Sequence, residues 1–186
     1  MNENNFVVAF PTDTVYGLGT TLYNKKGLER IYELKKRPLE AKIGVLVSDI
    51  KSASNICYVT NIARRLFDKF KGDITIVLNA RKKYKDFYLE ENVGIRIPVN
   101  NIALDIIKKY GPLKTTSVNI HGKPNLNSYN DVYNEFKDSI DLIYAEDGSI
   151  SKSIPSTVII LKNNKVNIIR EGIIKEKEIE DFLNLK

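Results

Sequence analysis

Short apolar runs alternate along the chain with segments whose apolar residues recur every three and four positions. The runs are rich in Val and Ile and bounded by Gly, Pro or Asn, which predicts strands. They cover Phe6–Phe10, Ile43–Ser48, Asp73–Asn79, Val93–Pro98, Leu113–Val118, Leu142–Tyr144, Ser156–Leu161 and Lys165–Arg170. The three-and-four periodicity predicts helices over Lys26–Lys36, Lys51–Tyr58, Asn61–Phe70, Ile102–Tyr110, Tyr129–Lys137 and Lys175–Leu185. Asn163-Asn164 between the last two strands predicts a hairpin turn, because Asn tolerates positive φ. Crossovers and hairpins together imply a mixed sheet covered by helices, an α+β arrangement. No repeat or low-complexity linker divides the chain, so residues 1–186 read as one domain.

One stretch departs from this alternation. The first strand runs into Pro11-Thr12-Asp13-Thr14-Val15-Tyr16-Gly17-Leu18-Gly19. Pro11 removes a backbone donor and stops pairing, and the glycines permit close backbone approach. The hydroxyls of Thr12, Thr14 and Tyr16 then lie at a strand's C-terminal end, where open α/β sheets bind ligands. A second polar stretch, Thr115-Thr116-Ser117-Val118-Asn119, ends another strand. Alternation places Thr115, Ser117 and Asn119 on one side, and three small polar groups there suggest a lined pocket.

Charge sharpens this picture. Net charge is +6, with basic clusters over residues 25–37 and 81–85. Such a balance favours nucleic acid or anionic small molecules, although no stacking aromatic motif of an RNA reader is present. Leu28, Ile31, Tyr32 and Lys35 share one helix face, so Lys35 emerges beside the core. Pro38 ends that helix at Arg37. The two cations at the helix end read either as a phosphate clamp or as a snorkelling lysine beside a solvated arginine. Arg96 lies in an otherwise apolar strand and needs an anion, from a ligand or from a structural salt bridge.

Other chemistries are disfavoured. One His and one Cys (His121, Cys57) cannot build a His/Cys zinc site, and no metal site is expected. Neither GxxxxGK[ST] nor GxGxxG occurs. No apolar run spans a bilayer and no secretory leader is evident, so a reducing cytoplasm is expected, without membrane contact.

Taken in order, PTDTVYGLG at 11–19, LKKRP at 34–38, GDITIVL at 72–78, VGIRIP at 93–98, TTSVN at 115–119, the following HGKPN, STVI at 156–159 and IIREG at 168–172 resemble the YrdC/TsaC family of threonylcarbamoyl-AMP synthases. The resemblance runs from about residue 6 to the C-terminus and fits the short type without an extra domain. It implies a three-layer α+β fold with a twisted mixed β-sheet and a concave basic cleft. It implies a nucleotidyltransferase that joins L-threonine, bicarbonate and ATP and releases pyrophosphate. The product would pass to a tRNA threonylcarbamoyl transferase complex for N6-threonylcarbamoyladenosine formation. Mg²⁺ would be held mainly by the triphosphate. By matching position, Lys35, Arg37, Ser117 and Asn119 would be the catalytic set. ATP would be bound by these four with Asn125 and Arg170, and threonine by Thr14, Arg96, Thr115 and Ser156. The chain departs from the family pattern at Asp73, where a proline is usual, in the 38–44 stretch, and at Pro155, where a glutamate is often seen. The alternative, from the net charge and the basic cleft that the resemblance implies, is a non-catalytic RNA-binding or ribosome-associated module with weak RNA affinity.

Overall fold

The computed structural model describes residues 6–148, 152–162 and 165–184. Among them, nine strands form one mixed sheet. The strands are β1 (Val8–Phe10), β2 (Gly17–Thr21), β3 (Gly44–Leu46), β4 (Ile74–Asn79), β5 (Asn92–Arg96), β6 (Leu113–Ser117), β7 (Leu142–Ile143), β8 (Thr157–Lys162) and β9 (Lys165–Arg170), in the order β7-β1-β2-β6-β3-β5-β4-β8-β9. The pairs β1–β7, β3–β5 and β4–β8 are parallel and the rest antiparallel, as expected for crossovers mixed with hairpins. Helices are α1 (Lys25–Lys35), α2 (Ile50–Ser54), α3 (Asn61–Phe70), α4 (Lys82–Tyr88), α5 (Asn101–Tyr110), α6 (Tyr129–Phe136) and α7 (Glu176–Asn184).

The helix starts follow local chemistry. Asn24, Asp49, Thr60, Asn100 and Ser128 each accept a backbone N–H of the first turn. Their apolar faces then close three core clusters. The first joins α2, α3 and α7 to β4 and β5 through Leu66, Phe67, Ile76 and Ile179. The second joins α1 and α6 to β1 and β2 through Ile31, Leu18 and Val132. The third joins α5 to β1 through Ile106, Ile107 and Phe10.

Two elements escape the sequence pattern. Gly17–Thr21, absent from the predicted strands, is β2 and pairs with both β1 and β6. Its glycines are there for close approach. A Cβ on Gly19 would lie 2.8 Å from Thr115 Oγ1, so the pocket-side hydroxyl leaves no room for one. Lys82–Tyr88, read as a basic cluster, is α4, whose Tyr84 is fully buried. Conversely, α2 stops at Ser54 rather than Tyr58, because Cys57 leaves the helix to bridge Ala80. The Asn163-Asn164 turn lies outside the described residues.

Candidate functional site

Strand ends and loops surround a cavity of about 520 Å³ on the sheet. Three sequence segments distant in the chain supply its hydroxyl-rich wall: Thr12 and Thr14 after β1, Thr115 and Ser117 on β6, and Ser156 before β8. Arg37, Arg96 and Arg170 also line it, as does Asn125. Of the residues singled out in the sequence, Thr14, Arg37, Arg96, Thr115, Ser117, Asn125, Ser156 and Arg170 therefore come together on one cavity. Lys35 and Asn119 do not line it; they stand directly behind Ser117.

The loop after β1 is fixed by its own hydroxyls. Thr12 Oγ1 donates to Val15 O at 2.6 Å and accepts from Thr14 N at 3.2 Å. Asp13, buried beside them, is the carboxylate that the sequence reading left without a role. Its Oδ2 takes Arg96 Nη2 at 2.6 Å and its Oδ1 takes Val99 N at 3.0 Å. Arg96 Nε donates to Gly72 O at 2.8 Å. The anion that Arg96 requires is thus supplied inside the chain, and its burial alone no longer argues for a substrate carboxylate. Nη1 is the part of the guanidinium that donates to no described residue.

Arg37 and Arg170 are placed differently. Arg37 Nε and Nη2 donate to Ala41 O and Lys42 O, which folds the 38–42 turn around the guanidinium. Arg170 Nη2 donates to Ser156 O at 2.7 Å. Neither pairs with a carboxylate among the described residues. Burial, then the charges of Arg96 and Arg37, hold the Arg170 pKa below its ordinary value. Arg170 therefore feels the other two guanidinium charges across the cavity, and an anion there would relieve that repulsion.

Lys35 is 1% exposed, and its ammonium is spent on the end of β6. Nζ donates to Ser117 O at 2.5 Å, Asn119 O at 2.8 Å and Asn119 Oδ1 at 2.8 Å. His121 N returns a bond to Lys35 O at 2.7 Å, so α1 grips the 117–121 segment through side chain and backbone together. Burial, followed by the Arg37 charge, pulls the lysine pKa down to about 8. The two-cation clamp read from the sequence is thus divided: Arg37 faces the cavity and Lys35 braces its wall.

A second buried lysine was not singled out in the sequence. Lys114 Nζ donates to Ile43 O at 2.8 Å and Tyr84 Oη at 2.5 Å, and lies 3.3 Å from Glu90 Oε2. Glu90 lines the cavity. No sequence pattern flags such a residue, because a lysine in a strand reads as exposed. Asp13 and Glu90 are the acidic groups on or beside the cavity that the bonds above describe, and both are engaged. No cluster of three metal-ligating side chains forms among the described residues. This donor set does not fit a Mg²⁺ ion held by the protein alone.

Fold and site together define an α+β protein with a cleft lined by hydroxyls and three guanidinium groups. Cys57 is buried away from the cleft, and burial pushes its thiol up to about 12.

Comparison with known proteins agrees. The Sua5_yciO_yrdC family model, described as telomere recombination, matches residues 1–172. A threonylcarbamoyl-AMP synthase of Bacillus subtilis is 31% identical over 184 residues, covering 96% of this chain and 53% of the relative. The uncharacterized protein YciO of Escherichia coli is 28% identical over 173 residues, covering 90% of this chain and 83% of YciO. The crystal structure of Pyrococcus abyssi Sua5 complexed with L-threonine superposes with a TM-score of 0.89 at 28% identity, covering 98% of this chain and 55% of that one. The chain thus spans about half the length of the Bacillus and Pyrococcus proteins. It belongs to the Sua5/YciO/YrdC family.

Proposed function

We propose that this protein is an L-threonylcarbamoyladenylate synthase, a nucleotidyltransferase using L-threonine, bicarbonate and ATP. The observation that carries the reading is the pair Arg37 and Arg170, two guanidinium groups on one hydroxyl-lined cavity, without a carboxylate partner among the described residues. Names borne by relatives support the synthase over the RNA-binding alternative.

Threonine's amine and bicarbonate condense to a carbamate with loss of water. A carbamate oxygen then attacks the α-phosphorus, the bond to the bridging oxygen breaks, and pyrophosphate leaves with the electron pair. The attacking group comes from the substrates, so the protein's work is positioning and charge neutralisation. In this reading Arg37 and Arg170 take the triphosphate, with Asn125 close by. Arg96 Nη1 and the hydroxyls of Thr14, Thr115 and Ser156 take threonine. Lys35 and Asn119 brace Ser117. Mg²⁺ arrives with the nucleotide. The product is a mixed anhydride that a tRNA-modifying transferase in the cytoplasm would consume.

The test is pyrophosphate release by the purified chain. Release that requires L-threonine and bicarbonate together, and that falls at least a hundredfold in Arg37→Ala without loss of thermal stability, supports the assignment. Release that ignores threonine sinks it.

A further inference from the structure

The bonds behind Ser117 determine which way its hydroxyl points. A Lys ammonium only donates, so the Asn119 side-chain atom 2.8 Å from Lys35 Nζ is the oxygen. The other amide atom meets Ile120 O at 3.0 Å and Lys123 O at 2.7 Å, two groups that only accept, so it is the nitrogen. The amide orientation is thereby fixed from both ends, with no flipped alternative. Ser117 Oγ lies 2.8 Å from that same Oδ1. An acceptor there forces the serine to give its single proton. The set closes without remainder: three ammonium protons, two amide protons and both lone-pair directions of Oδ1 are used. What Ser117 Oγ still offers to the cavity is lone pairs.

We infer that Ser117 is a hydrogen-bond acceptor for an N–H or O–H of the substrates, held in that polarity by Lys35 and Asn119 as positioning residues. Phosphate and carboxylate oxygens, which need donors, are turned away from it and toward the arginines. The idea rests on the synthase reading for its ligands. Threonine offers an amine, later a carbamate N–H, and a β-hydroxyl; ATP offers ribose hydroxyls and an amino group. The depressed pKa of Lys35 agrees with an ammonium held by carbonyls rather than by an anion, and at neutral pH the charged form that supplies three protons still dominates.

Calorimetric titration of the full chain and of Ser117→Ala separates the polarities. The probes are inorganic tripolyphosphate, ATP and L-threonine. Tripolyphosphate is expected to bind both proteins within about twofold. At least one of ATP and L-threonine is expected to bind Ser117→Ala about tenfold more weakly, the value of one hydrogen bond. Loss confined to L-threonine names its amine or hydroxyl as the donor; loss confined to ATP names the ribose or base. A tenfold loss for tripolyphosphate, or no loss for any probe, overturns the inference. A wild-type chain that binds neither ATP nor L-threonine would count against the synthase reading instead. The polarity is read without ligand from the Ser117 Cβ resonance in equal H₂O and D₂O. A hydroxyl held by Asn119 exchanges slowly and gives two isotope-shifted lines, which merge in Asn119→Ala. A single averaged line in the wild type overturns the assignment.

Discussion

Gly72→Ala adds one methyl group in the 71–73 turn before β4 and should undo the Arg96–Asp13 pair. The added Cβ would lie 2.1 Å from Asp13 Oδ2, whereas ordinary contact begins at 3.4 Å. The carboxylate must retreat by about 1.3 Å, the difference of these distances, at the edge of a close-packed interior. That is half the 2.6 Å length of its bond to Arg96 Nη2, enough to carry Oδ2 out of hydrogen-bond range. Breaking a buried ion pair costs about 3–5 kcal/mol, a large part of the roughly 5–15 kcal/mol that holds a domain folded. With a urea slope of about 2 kcal/mol per molar, the unfolding midpoint should fall by about 1.5–2.5 M. Asp13→Ala removes both the ion pair and the clash, so adding Gly72→Ala to it should cost less than about 1 kcal/mol more. Equal losses for Gly72→Ala in the two backgrounds, or a midpoint within about 0.3 M of wild type, would refute the reasoning.

Further outcomes follow from the other buried groups. Folded Lys35 has its pKa near 8, below the unfolded value of 10.5, so between these pH values the unfolded chain holds more protons and stability rises with pH. Relative to Lys35→Met, the wild type should gain about 2 kcal/mol from pH 8 to pH 10 in denaturant titrations; a flat difference would contradict the assignment. Lys114→Met strands Glu90 beside the cavity and should destabilise by about 3–5 kcal/mol, where a loss under about 1 kcal/mol would show that the ammonium is dispensable. Cys57, its thiol raised to about 12 by burial, should react with iodoacetamide at pH 8 at least about a hundredfold more slowly in the folded than in the unfolded protein, and comparable rates would refute its placement.

Much of the architecture could be read along the chain, because alternation and the three-and-four period depend only on which residues face a core. Capping residues such as Asn24, Thr60 and Ser128 fix helix starts through bonds made within three positions. Where the reading failed, tertiary contact overrode local preference. Gly17 and Gly19 fall outside the predicted strands, yet they pair with β1 and β6, and Thr115 and Phe10 crowd the space a side chain would need. Residues 81–85 read only as a basic cluster, yet Tyr84 draws α4 onto Lys114 and Glu90.

The candidate site divides the same way. Residue type announced Thr14, Arg37, Ser117 and Arg170 as groups able to meet an anion, since hydroxyls and guanidinium groups carry that capacity wherever they fall. Which of them are free to use it was decided by distance across the fold. Arg96 found its carboxylate in Asp13, 83 positions away, and Lys35 found its three acceptors at the end of β6, more than 80 positions away. A donor's capacity is written in its side chain, but what it has left for a ligand depends on the partners that folding brings within 3 Å.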